Sequence, residues 1–138
     1  MKLLAHNATD DEILGLCREW VDLVAADRFQ EALNLLWVPP TYDESQHWTP
    51  DSLRSYIENY GSWTPREDGT RWHVTPTVAA VDRPEEPSTV GRLDHDPHSG
   101  WVDLDLPLNG AWSDLTAQFE FTRVPGGTAV SLYDIHVL

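Results

Sequence analysis

The pair Asn109-Gly110 constrains this chain more than any other feature. Both residues tolerate positive φ, so the pair closes a two-residue hairpin whose turn matches the twist of its strands. Apolar residues alternate on either side: Val102, Leu104, Leu106 and Leu108 before it, and Leu115, Ala117, Phe119 and Phe121 after it. A two-residue loop pairs Leu108 with Ala111, Leu106 with Ser113, Leu104 with Leu115 and Val102 with Ala117. These residues form one apolar face. The opposite face then pairs Asp105 with Asp114, Asp103 with Thr116 and Trp101 with Gln118. One residue of slip exchanges the two faces, so register decides where the polar chemistry lies.

The next hairpin is less constrained. Val124-Pro125-Gly126-Gly127-Thr128 suits a three-residue loop, with Pro125 opening a turn and Gly127 in the left-handed position. Phe119 then pairs with Tyr133, Ala117 with Ile135 and Leu115 with Val137 on the helix-facing side. Gln118 with Asp134 and Thr116 with His136 fall on the other side. A loop of two or four residues instead turns Asp134 and His136 inward. The last strand is expected over Thr128–Leu138. Upstream, Trp72–Val81 reads as a strand that Pro76 demotes to an edge or a bulge. Thr89–Leu93 reads as a short strand, and Asp94–Gly100 as a turn.

The first third has helical spacing. Thr9-Asp10-Asp11-Glu12 is a capping box, followed by the stripe Ile13, Leu16, Cys17, Trp20, Leu23 and Val24. After a tight corner near Ala25–Asp27, Asp27 can cap a second helix with the stripe Phe29, Ala32, Leu33, Leu36 and Trp37. Pro39-Pro40 ends it. Residues 39–48 read as loop. Thr49-Pro50-Asp51 opens a third helix, with Leu53, Tyr56, Ile57 and Tyr60 on one stripe and Gly61 as its stop. Helices followed by an antiparallel sheet make an α+β class, and the 138 residues suit a single domain over 1–138.

This order resembles the nuclear transport factor 2-like superfamily of α+β cones, which includes ketosteroid isomerase and scytalone dehydratase. The resemblance is one of layout. It rests on Ala26-Asp27-Arg28-Phe29-Gln30-Glu31-Ala32-Leu33, the short helix after Pro50 and the closing hairpins. Pro39-Pro40 stands where that superfamily usually places a strand. The resemblance implies three N-terminal helices packed on a curved antiparallel sheet, with an apolar pocket open at one end of the cone. The superfamily includes enzymes, ligand binders and protein-binding modules, so fold does not choose among them.

Charge narrows the partners. Nine Lys and Arg against 23 Asp and Glu give a net charge of −14, and Lys2 is the only lysine. Such a chain is not expected to bind nucleic acid or an anionic membrane surface. An apolar share of 41% with 7 Trp is too rich for a disordered acidic tail. No run approaches the ~18 apolar residues of a membrane span, and the N-terminus lacks the apolar core of a secretory signal. With Cys17 as the only cysteine, a cytoplasmic protein is expected. Cys17 lies on a helix stripe, where a buried thiol is the plain expectation and a reactive one the alternative.

Three groups of residues are candidate sites. The first is the outward sheet face. There Trp101, Asp103, Asp105, Trp112, Asp114 and Glu120 could meet a basic protein, which would offset the like charges of Asp105 and Asp114. The plain alternative is a solvated face that confers solubility. The second group, Trp20, Trp37, Tyr56, Tyr60, Phe119 and Tyr133, could line a cone pocket for a small apolar ligand; aromatics at helical spacing are also ordinary core. The third is catalytic. Asp134 and His136 could form an acid–base couple if they point inward, and Asp43-Glu44 lies roughly where the resemblance to ketosteroid isomerase-like enzymes implies a base. Asp94-His95-Asp96-Pro97-His98 has the composition of a metal cluster but no identifying spacing, so no metal or cofactor is assigned.

Three functions compete. The leading one is a non-catalytic acidic module that binds a basic protein, for instance a small bacterial toxin-neutralising immunity protein. The second is a small-molecule binder or an isomerase- or dehydratase-type enzyme using the cone interior. The third is a homodimer module whose sheet faces pack on each other.

Overall fold

A computed structural model describes residues 1–137, so the expected last strand residue, Leu138, lies outside the described residues. The fold is α+β. Helices α1 (Asp10–Ala25), α2 (Phe29–Asn34) and α3 (Pro50–Glu58) precede strands β1 (Ser88–Leu93), β2 (Asp96–Leu108), β3 (Ala111–Val124) and β4 (Gly127–Val137). The strands form one open antiparallel sheet in the order β1-β2-β3-β4.

α1 begins at the expected capping box, with Thr9 and Glu12 each bonded to the other's backbone N–H. Its end differs from expectation. Asp27 does not cap α2; it takes a left-handed conformation with φ 63°, and Arg28 N–H reaches back to the Leu23 carbonyl at 2.8 Å. These are the bonds of a Schellman ending, which turns the chain tightly enough to start α2 at Phe29. α2 stops at Asn34 rather than Trp37. Trp37 N–H instead bonds the Val130 carbonyl on the free edge of β4 at 2.8 Å. Leu4 pairs with Thr128 on the same edge, so two extended segments blunt it.

The turn of β2 and β3 forms at Asn109-Gly110, and Leu108 pairs with Ala111 as expected. Beyond Pro107 the register moves by two: Leu104 faces Ala117, Val102 faces Phe119, and Asp105 faces Thr116 rather than Asp114. Proline has no N–H for the ladder. Beside it Ser113 Oγ donates to the Leu106 carbonyl at 2.7 Å, and the three residues Ser113–Leu115 stand opposite Leu106 alone as a bulge. A shift of two keeps every side chain on its face, so Val102, Leu104, Leu106, Leu108, Leu115, Ala117, Phe119 and Phe121 are all buried.

The second hairpin also departs and then returns. Its loop is two residues, Pro125-Gly126, with Val124 paired to Gly127. Gly126 carries the positive φ of 96°, the position after proline that a type II turn requires. The register then slips by one at Tyr133: Phe119 faces Leu132, while Gln118 faces Asp134 and Thr116 faces His136. The short loop and the bulge cancel. Ile135 is buried, and Asp134 and His136 stay on the opposite face of β4, each half-buried. Tyr133 is the residue displaced by the bulge. It is exposed, and Leu132 takes the buried place expected for it.

Trp72–Val81 forms no strand. Only single bridges join Val74 to Leu108 and Val81 to Ala111, because Pro76 interrupts any ladder. The expected turn over Asp94–Gly100 shrinks to Asp94-His95, and β2 begins at Asp96.

One core joins the helices to the sheet, and within it Trp20 meets Phe119 edge to face at 5.3 Å. Where β1 and β2 pair at Gly91 and Gly100, a side chain has little room. A Cβ on Gly100 would lie 2.0 Å from the Gly91 carbonyl oxygen and 2.8 Å from the Phe121 ring. Gly100→Ala is therefore expected to lose about 2–3 kcal/mol, read as a lower urea midpoint at unchanged slope. Gly91→Ala should lose less, because its Cβ meets only the movable Trp101 indole.

Candidate functional site

The outward face of the sheet carries the first candidate group but divides it. Asp103 and Asp105 project from β2. Trp112 and Asp114 project from β3, and the loop holding Asp82 and Glu86 folds beside them. Together they line a groove of about 500 Å³. The register shift separates Asp105 from direct opposition to Asp114, yet the two charges still interact. The Asp105 carboxyl is pushed above its ordinary value by burial first, against the Thr116 hydroxyl bond at 3.1 Å, with the Asp103 and Asp114 charges adding to the rise. Asp103 Oδ1 is buried without a hydrogen-bond partner, as is the indole N–H of Trp112. Tyr60, expected in the pocket, instead donates its hydroxyl to Asp114 and packs edge-on to Trp72 at 5.1 Å.

No ion pair among the described residues includes a groove carboxylate. Six of the nine Lys and Arg pair elsewhere, among them Arg92 with Asp10 at 2.7 Å, Arg71 with Glu58 at 2.9 Å and Lys2 with Glu19 at 2.7 Å; Arg83, on the groove loop, is in no ion pair among the described residues. The groove therefore gathers carboxylates that no ion pair among the described residues neutralises.

Trp101 and Glu120 belong to a different depression on the same sheet, shared with Trp37, Pro39 and Tyr42. There Tyr42 donates its hydroxyl to Glu120 and lies 3.3 Å from Ser131 Oγ. Burial, then the Glu120 bond, pushes the Tyr42 phenol well above its ordinary value. Glu120 thus already has a donor, unlike Asp103.

The six aromatics expected in a cone pocket do not share one. Trp20 and Phe119 are fully buried against each other and act as packing groups. Trp37 lies where β4 meets the loop after α2, and Tyr60 sits by the acidic groove. Tyr56 and Tyr133 line a third cavity, of about 680 Å³, at the surface. Helical spacing placed four of these rings on stripes and strand alternation the other two, but α2 ends early and Tyr133 sits in the bulge.

The catalytic candidates also fall outside the core. His136 Nδ1 lies 3.2 Å from Asp134 Oδ2, on the face of β4 opposite the buried Ile135, and Asp134 lines a surface cavity with Ser52 and Tyr56 of α3. Asp43 caps the one-turn helix Glu44–Gln46, and the Ser45 hydroxyl bond pulls its carboxyl below the ordinary range. Cys17 is fully buried and its thiol is pushed up to about 12 by that burial, which keeps it unreactive. Among the described residues no three His, Cys, Asp or Glu side chains are placed to hold a metal ion, and no helix is long and apolar enough to cross a membrane.

Sequence reasoning missed Asp82 and Glu86, which reach the groove on an irregular loop, and Tyr42. It also missed Trp48 and Trp63. Their signal was present: two indoles in the polar loops that flank α3, where no apolar stripe requires them.

Compared with family models, curated proteins and solved structures, the chain matches none.

Proposed function

We propose that the protein is a non-catalytic binding module whose acidic groove takes Arg or Lys side chains of a basic protein partner. The observation that carries this is the set Asp103, Asp105 and Asp114 beside Trp112, in no ion pair among the described residues, with one buried carboxylate oxygen lacking any partner. A guanidinium supplies what the groove lacks: donors for Asp103, positive charge for Asp105 and Asp114, and a flat cation for the Trp112 face. A solvated face needs no groove and no half-buried carboxylate. An immunity-type role against a basic toxin fits this chemistry. The layout-level kinship with nuclear transport factor 2-like cones is part of the same reading. It is supported by the order of three helices and then an antiparallel sheet.

The test is a pull-down of purified products of neighbouring genes at low and high salt. A basic partner retained at low salt and weakened at least about tenfold at high salt is the expected result, because charge-led association is screened. Retention that ignores salt, or no partner at all, counts against the reading.

A further inference from the structure

A cavity lies beside α3, separate from the acidic groove. Trp48 precedes α3, Tyr56 lies on it and Trp63 follows it, and the three rings converge. The indoles of Trp48 and Trp63 stack 20° from parallel with centroids 5.9 Å apart. Tyr56 stands across both, at 79° to Trp48 and 66° to Trp63, with its centroid 5.4 Å and 4.5 Å away. Trp63 is nevertheless 62% exposed. An indole held in place by two other rings, yet left in water, wastes its apolar surface unless something covers it.

What else lines the cavity identifies the cover. Tyr133, displaced outward by the β4 bulge, adds a fourth ring, and Asp43 and Asp134 bring carboxylates to the same space. Neither carboxylate is paired with an arginine or lysine among the described residues. Asp134 bonds the Ile135 N–H at 2.8 Å and lies beside His136. The Asp134 charge is felt at Tyr56, whose phenol is raised by burial first and by that carboxylate second. Ring faces attract cations through their quadrupole, and a bulky, weakly hydrated cation loses least on leaving water. Carboxylates at the same mouth repel an anionic or zwitterionic ligand. A cavity of about 680 Å³ lies within the ~300–1,000 Å³ range of small-molecule sites.

We infer that the outer faces of the packed Trp48, Tyr56 and Trp63 rings, with Tyr133 and Asp134, bind a small quaternary ammonium compound of the choline type, a trialkylated cation without an acid group. The rings contact the alkylammonium head and Asp134 neutralises it. No bond is made or broken.

The test titrates tetramethylammonium, choline, betaine and the neutral isostere 3,3-dimethylbutanol into the full chain, followed by calorimetry and tryptophan fluorescence. Choline and tetramethylammonium should saturate with dissociation constants at or below about 1 mM. Betaine should bind more weakly, and the neutral isostere should not saturate. Trp63→Ala should weaken choline about tenfold. Because Trp63 is exposed, this variant should keep the wild-type circular dichroism. Asp134→Asn, which keeps the bond acceptor for Ile135, should weaken choline about threefold. Equal binding of 3,3-dimethylbutanol, or choline affinity unchanged in both variants, overturns the inference. So does the absence of saturable binding up to about 20 mM. Because this cavity shares no residue with the acidic groove, failure here leaves the protein-binding reading standing, and the reverse also holds.

Discussion

Trp20→Ala is expected to lose about 3–5 kcal/mol of stability, the range for truncating a large aromatic in a packed core. Trp20 is fully buried on α1 and stands edge to face with Phe119 on β3, so one deletion loosens the joint between helix layer and sheet. For a chain of this length that loss corresponds to a drop in midpoint temperature of roughly 10–20 °C. The indole N–H has no partner, so Trp20→Phe removes an unsatisfied donor as well as volume and should cost less, about 1–2 kcal/mol. Phe119→Ala should cost about as much as Trp20→Ala, and the double variant less than the sum, because both deletions empty one shared space. Urea denaturation of the four variants measures all of this. A loss under about 1 kcal/mol for Trp20→Ala would mean that the interior already holds a cavity, and would restore a ligand site inside the fold.

Trp20 also shows what the sequence made legible. Its position at helical spacing in a capped segment was enough to turn it inward, but not to tell packed core from the lining of a pocket. The faces of β2, β3 and β4 followed from alternation in the same way. Register was read less well, yet the faces survived. The bulge beside Pro107 shifts pairing by two, which preserves parity, and the two-residue loop at Pro125-Gly126 is undone by the bulge at Tyr133. Burial of Ile135 outweighs turn length: a slip of one would put Ile135 in water and Asp134 in the core. The sites were less legible because cavities arise where irregular segments meet. Asp82, Tyr42, Trp48 and Trp63 sit on loops whose paths no periodicity records. Glu120 and Trp101 share a face with Asp105 by parity, but side-chain reach and the loop after α2 separate them into another depression.

Neutralising the acidic groove should separate binding from stability. Asp103→Asn with Asp105→Asn is expected to weaken a basic partner by about thirtyfold or more, since each lost charge contact at a desolvated site is substantial. The same variant should be as stable as the wild type at neutral pH, or more stable by about 0.5–1 kcal/mol, because it removes like-charge repulsion. Asn keeps the acceptor that Thr116 Oγ1 uses. The pH dependence gives an independent reading. The carboxyl of Asp105 is raised in the folded state by burial and by its acidic neighbours, so the folded chain holds that proton where the unfolded chain has lost it. Stability from this group falls as pH rises through the raised value and returns on acidification. Asp43, Asp68 and Asp96 are lowered by hydrogen bonds, from the Ser45 hydroxyl, the Thr70 N–H and the Ser99 hydroxyl respectively, and act in the opposite sense at lower pH. Wild-type melting temperature should therefore rise on mild acidification before it falls, and the double variant should lack the rise. Thermal melts across that range, run beside a partner titration, measure both effects. A variant that loses stability and binding together would make the acids structural, whereas one that keeps its fold and loses only its partner assigns them to recognition.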